Sequence, residues 1–215
     1  SLWVDFLNKN MEHFSDEKKI AECDFKKEDL PGSKIHYKCK IDTYNTPELC
    51  EHLIRDNIIF PAAGYIELLL KLKSDSLKET RFSNFELLRP LNLEKNITFL
   101  NGLLEDKKFD FYSRYENDQS WKFQGKVYID EFRNSNKIKD YIPNIPSNAI
   151  EINPSEFYSK LEKIGFSYGK TYRSIKKLFN EERECWSQIS RYKNAPDRTL
   201  IDGCFQTVAA CMYGQ

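Results

Sequence analysis

Leu49-Cys50-Glu51-His52-Leu53-Ile54-Arg55-Asp56-Asn57-Ile58-Ile59-Phe60-Pro61-Ala62-Ala63-Gly64-Tyr65 is the stretch on which the reading of this chain turns. A histidine precedes a short apolar strand, and the strand runs into a helix opened by Pro61. Proline suits that first turn because no amide proton is needed there. Such an arrangement can hold an imidazole beside the electropositive end of a helix, where a carbonyl is polarised while a proton is removed. Within the helix, Tyr65, Ile66, Leu68, Leu69, Leu70 and Leu72 point around nearly the whole circumference. That pattern predicts a helix wrapped on all sides rather than laid on one face.

Strands supply the wrapping. Apolar and polar residues alternate without a break in Lys34-Ile35-His36-Tyr37-Lys38-Cys39-Lys40-Ile41, the signature of a half-buried strand, with His36 on the solvated phase. Residues 109–115 (Phe109, Phe111, Tyr115) and 121–129 (Trp121, Phe123, Val127, Ile129) alternate too, with Glu116-Asn117-Asp118-Gln119 as a hairpin connection. Further strands are expected near 83–90 and 96–104. The 15 Phe and 12 Tyr favour sheets over a helical bundle. A helix enclosed by a curved antiparallel sheet is the hot-dog arrangement, so the fold class is α+β.

A second unit follows. Residues 134–150 are polar, contain Pro143 and Pro146, and read as a linker. Asn153-Pro154-Ser155-Glu156 then offers a cap, a proline and an acid three residues after the cap; Phe157, Leu161 and Ile164 continue the helix and Gly165 stops it. A strand is expected at 184–192. Leu200 to Cys211 is again apolar nearly all round and carries two polar residues four apart, Asp202 and Gln206. The expected organisation is an upstream segment or linker at 1–31, a hot dog at 32–133, the linker at 134–150 and a second hot dog at 151–215. The second is expected to be incomplete, because several more strands would have to follow its helix.

Composition narrows the function classes. With 215 residues, 40% of them apolar, the chain can bury a sizeable core. Lys and Arg balance Asp and Glu at 33 each, which leaves no whole-chain footprint for nucleic acid. The six cysteines (23, 39, 50, 185, 204, 211) form no C-x-x-C pair and have no histidine at metal-ligand spacing, and Cys204 and Cys211 read as small buried hydrophobes. No signal peptide or membrane span is visible, so a reducing cytoplasm is the expected compartment.

Three segments in order resemble the dehydratase domains of polyketide and fatty acid synthases. His52 to Pro61 is similar to that family's His-x-x-x-Gly-x-x-x-x-Pro, and Ala63-Gly64-Tyr65-Ile66-Glu67 resembles its usual continuation. Tyr168-Gly169-Lys170-Thr171-Tyr172 is similar to Tyr-Gly-Pro-x-Phe. Asp202-Gly203-Cys204-Phe205-Gln206 matches Asp-x-x-x-Gln in full. Phe111-Tyr112-Ser113-Arg114 and Trp121 to Gly125 also look like family strands, with Phe123-Gln124 in place of the usual His-Ala. The likeness spans about residues 32–215.

The resemblance implies a double hot-dog and removal of water from a 3-hydroxyacyl thioester, giving the 2,3-enoyl thioester. It implies His52 as general base and Asp202 as general acid, one from each hot dog. A neutral histidine suits the first task, and an apolar tunnel would keep the aspartic acid protonated for the second. Gln206, one turn after Asp202, could orient its carboxyl. Tyr168 would donate to the β-oxygen, and free amides around Pro61, Ala62 and Gly64 would meet the thioester carbonyl, with Gly169 beside them. No metal or bound cofactor is implied: the substrate would arrive on the phosphopantetheine of an acyl carrier protein. Neighbouring synthase domains and a second copy of the chain are the implied partners, with no nucleic acid or membrane. The basic run Lys170, Arg173, Lys176 and Lys177 is either a dock for an acidic carrier or a solvated face.

Three departures stand out: Asp56 for glycine, Lys170 for proline and Tyr172 for phenylalanine. Aspartate tolerates left-handed dihedrals better than most residues, and its carboxylate is expected to face water. Asp202 has a structural alternative, an N-terminal cap of its helix. A pyran-forming cyclase, a double-bond isomerase and a catalytically silent structural domain are the alternatives for the whole.

Overall fold

The alternation read at Lys34–Ile41 is a strand along its full length, and its buried phase is Tyr37, Cys39 and Ile41. The computed structural model describes residues 25–29, 34–73, 80–93, 97–131, 144–181 and 184–211. The expected linkers at 1–31 and 134–150 therefore lie largely outside the described residues, as does His13. The chain divides into two compact units, Ser1–Pro47 with Gly64–Lys137, and Glu48–Ala63 with Ile138–Gln215. The first described residues already form a strand, β1 (Lys26–Asp29), which pairs antiparallel with β2 (Lys34–Ile41). Nothing in its run of charges discloses it: the partner strand, not local pattern, makes it extended.

In chain order the next elements are a turn of 3-10 helix (Pro47–Glu51), β3 (His52–Ile54), β4 (Asn57–Ile58) and α1 (Ala62–Lys73). They are followed by β5 (Thr80–Leu87), β6 (Thr98–Glu105), β7 (Lys108–Tyr115) and β8 (Lys122–Glu131). The first unit is a six-stranded antiparallel sheet in the order β1-β2-β6-β7-β8-β5. Leu100, Phe109, Phe111 and Val127 are fully buried on its inner face, and each such side chain contributes on the order of 2 kcal/mol. Tyr65 of α1 meets Phe111 edge-on, with ring centroids 5.1 Å apart. From Ala62 to Leu72 no residue of α1 is exposed, which agrees with the wrapped helix expected. His36, read as solvated, is half-buried and lies 3.4 Å from Glu28 of β1.

The second unit holds β9 (Ile150–Ile152), α2 (Pro154–Lys163), β10 (Phe166–Tyr168), β11 (Ile175–Glu181), β12 (Glu184–Ile189) and α3 (Asp197–Ala210), together with β3 and β4. Two three-stranded sheets form, β10-β3-β4 and β12-β11-β9. Asn153 caps α2 as expected, its Oδ1 accepting from the Ser155 amide at 2.8 Å, a contact worth about 1 kcal/mol. Phe157, Tyr158 and Leu161 of α2 pack on Ile175, Leu178 and Ala210. Ile164, read as the last residue of that helix, is its C-cap and is 60% exposed, because the helix has ended and the chain turns there.

Candidate active site

Local sequence sets up the first half of the site. Between β3 and β4 the chain reverses through Arg55 (φ 49°) and Asp56 (φ 64°). Two consecutive left-handed residues are what a tight hairpin with the proper twist requires. Asp56 thus occupies the conformation that glycine adopts freely, and its side chain is exposed. The hairpin folds Ile59 back on His52: the Ile59 amide donates to the His52 carbonyl at 3.2 Å, and His52 Nδ1 lies 2.8 Å from the Ile59 carbonyl oxygen. A carbonyl oxygen only accepts, so Nδ1 carries a proton, and in the neutral ring Nε2 is the nitrogen with the free lone pair.

The second half comes from α3. This helix starts at Asp197, so Asp202 is well inside it and does not cap it. Arg198, Asp202 and Gln206 are spaced by single turns and all three are buried. Phe205 and Val208 remain 40% and 47% exposed, so among the described residues α3 buries one broad face rather than its whole circumference.

His52 Nε2 and Asp202 Oδ1 face each other at 3.8 Å, with the two residues 4% and 5% exposed. That gap is too long for a direct hydrogen bond. It is short enough for the two atoms to address adjacent atoms of one substrate. Burial pushes the Asp202 carboxyl above the ordinary carboxylate range, while the His52 charge and a hydrogen bond from Gln206 pull the other way. Desolvation favours the neutral acid, the form that can give a proton.

Tyr168 pairs directly with His52 across β10 and β3, and their rings meet edge-on at 5.5 Å. Burial, and then the Asp202 charge, raise its hydroxyl pKa, keeping it a donor. Tyr172, fully buried, lies on the imidazole at 5.2 Å. Gln206 Nε2 donates to Asp202 Oδ2 at 2.7 Å and to the Tyr172 carbonyl at 3.1 Å, so its amide holds the carboxyl. Gly169 sits where a Cβ would come within 2.5 Å of the Glu51 carboxylate, and only glycine allows that approach. Its amide donates to the Glu51 carbonyl at 2.8 Å, and the Thr171 amide to Glu51 Oε2 at 2.7 Å. Pro61, Ala63 and Gly64 are buried and Ala62 half-buried at the start of α1, whose first amides have no acceptor within the helix.

The fold therefore brings His52, Tyr168, Gly169, Asp202 and Gln206 together, and it adds residues that the motifs do not disclose. Glu51 clamps the Gly169 turn. Glu48 and the buried Arg198 form an ion pair that fastens α3 to the turn preceding His52. Tyr158 donates to Gln206 Oε1 at 2.8 Å. Only the aromatic at position 158, beside Phe157 on a capped helix, could have hinted at the last of these.

The first unit's sheet around its helix and the second unit's buried His-Asp pair give the chain a fold similar to that of the double hot-dog dehydratase domains of polyketide synthases. Residues 143–215 match the family described as polyketide synthase dehydratase N-terminal domain. Among characterised sequences, the chain is 22% identical over 218 residues to a highly reducing polyketide synthase of Pyrenophora dematioidea, covering 83% of this chain and 8% of that protein. It is 27% identical over 177 residues to probable polyketide synthase 10 of Dictyostelium discoideum, covering 71% and 7%. The chain thus spans less than a tenth of the length of these relatives. Among solved structures it is similar to the dehydratase domain from the CurK module of curacin polyketide synthase, with TM-score 0.71, 19% identity, and 87% of this chain and 74% of that one covered. The erythromycin dehydratase gives TM-score 0.71 at 19% identity, with 85% and 72% covered.

Proposed function

We propose that this chain removes water from a 3-hydroxyacyl thioester, with His52 as base and Asp202 as acid. The observation that carries the reading is the 3.8 Å approach of His52 Nε2 to Oδ1 of a buried carboxyl. Nε2 takes the α-proton, the electrons of that bond form the Cα–Cβ double bond, and the β-hydroxyl departs with the proton of Asp202 as water. The imidazolium and carboxylate left behind are neighbours, and return of the proton from one to the other restores both. Tyr168 holds the β-oxygen, and the first amides of α1 receive the thioester carbonyl as charge develops on it.

The substrate arrives on the phosphopantetheine of an acyl carrier protein, next to other domains of a synthase. Exposed Lys170, Lys176 and Lys177 suit an acidic carrier. Arg173 has a second task, since its Nε donates to the Tyr168 carbonyl at 2.7 Å. The test is turnover of a 3-hydroxyacyl thioester followed by mass. Loss of water is expected with the unaltered protein and not with His52→Ala or Asp202→Asn; turnover that persists in both variants removes the assigned roles.

A further inference from the structure

A carboxyl has two oxygens, and a general acid works only if its proton is on the one that faces the substrate. In Asp202 that oxygen is Oδ1, 3.8 Å from His52 Nε2, while Oδ2 accepts from Gln206. Which oxygen carries the proton is therefore settled by which end of the Gln206 amide faces the carboxyl. With the NH2 end there, Oδ2 is an acceptor and the acidic proton goes to Oδ1. With the carbonyl end there, the proton would be drawn to Oδ2, away from the substrate.

Two contacts fix the end. Gln206 Nε2 also donates to the Tyr172 carbonyl at 3.1 Å, which accepts and never donates. On the other side, Tyr158 of α2 meets Gln206 Oε1 at 2.8 Å. The Tyr158 oxygen itself receives the Ile175 amide at 3.3 Å, so its own proton is directed toward Gln206. Tyr158 is 4% exposed, and burial pushes its hydroxyl up to about 12, so it remains a donor at neutral pH. A reversed amide would face two acceptors with its oxygen and leave the tyrosine proton without one.

We infer that Tyr158 is a positioning residue for the elimination: through Gln206 it holds the acidic proton of Asp202 on the oxygen that faces the substrate. This rests on the reading of His52 and Asp202 as base and acid, and the experiment separates the two. In the full-length protein, kcat, KM and the pH dependence of turnover are measured for Tyr158→Phe, Gln206→Leu and the double variant. Thermal melting accompanies each, and Phe157→Leu serves as a packing control in the same helix.

Tyr158→Phe is expected to lower kcat about tenfold with KM within about twofold, the pattern of an interaction that matters in the transition state. The alkaline limb, which reports ionisation of the acid, should move upward in both single variants because the carboxylate loses an oriented donor. Phe157→Leu should lower the melting temperature and leave the limb in place. Since Tyr158 acts only through Gln206, the double variant should be no worse than Gln206→Leu. Additive losses, or an unchanged kcat and limb in Tyr158→Phe, overturn the inference while inactive His52→Ala and Asp202→Asn leave the dehydratase reading standing. If Tyr158→Phe does not fold, an unmoved limb in Gln206→Leu overturns it equally. Activity that survives in His52→Ala and Asp202→Asn instead overturns the reading beneath both.

Discussion

Gly203→Ala would ordinarily be expected to stabilise a helix, by about 0.5–1 kcal/mol from backbone entropy. In α3 the structure predicts the reverse. A Cβ at position 203 would lie 2.0 Å from Ser174 Oγ, 3.3 Å from Ser174 Cβ and 3.2 Å from Ile189 Cγ2, against an ordinary contact of 3.4–4 Å. Rotation of the serine hydroxyl relieves the first clash but not the other two. Ser174 is itself 1% exposed, so the hydroxyl has little room. Overpacking of this kind costs about 1–3 kcal/mol, and subtracting the entropic gain leaves a net loss of roughly 1–2 kcal/mol.

The strain falls next to Asp202, so relief by shifting α3 would move the carboxyl relative to His52. Equilibrium denaturation should show the loss, and turnover of a 3-hydroxyacyl thioester should fall more than the unfolded fraction accounts for. Ser174→Ala in the same chain should restore part of the stability, since it removes the nearest atom. A Gly203→Ala protein that is more stable than the unaltered one, with full turnover, would refute the reasoning.

Asp202 makes stability fall as pH rises. Its folded pKa is raised, so between the ordinary carboxylate value near about 3.9 and the raised one the native state binds more protons than the unfolded state. Denaturation across that window should show Asp202→Asn gaining on the unaltered protein by on the order of 1–3 kcal/mol toward its alkaline end, and a constant difference would contradict the assignment. Arg198→Met should cost about 1–3 kcal/mol by leaving half-buried Glu48 without its cation, and Glu48→Leu in the same chain should recover most of it. A loss below about 1 kcal/mol in the single variant would mean that the pair does not fasten α3.

Local chemistry in the sequence was enough for much of this protein. Strict alternation placed β2, β7 and β8, because one face of each strand had to be apolar. The Asn153 cap and the proline after it placed α2 nearly to the residue. The all-round apolar character of α1 foretold its enclosure. The motifs nominated His52, Tyr168, Asp202 and Gln206 because residue type and spacing are local properties.

What could not be read was everything that depends on segments far apart in the chain. The stretch bearing His52 lies within the sequence of the first half, yet Glu48–Ala63 packs with the second unit, where Asp202 also resides. β1 is extended only because β2 offers it a partner, and Phe205 and Val208 are exposed although their helix reads as buried on every side. Glu51, Glu48, Arg198 and Tyr158 are ordinary residues in sequence; each acquires its task from a group 48 to 150 positions away. Hydrogen-bond direction and desolvation are properties of three-dimensional surroundings. The proton on His52 Nδ1 and the upward shift of the Asp202 carboxyl were therefore decided by the tertiary fold.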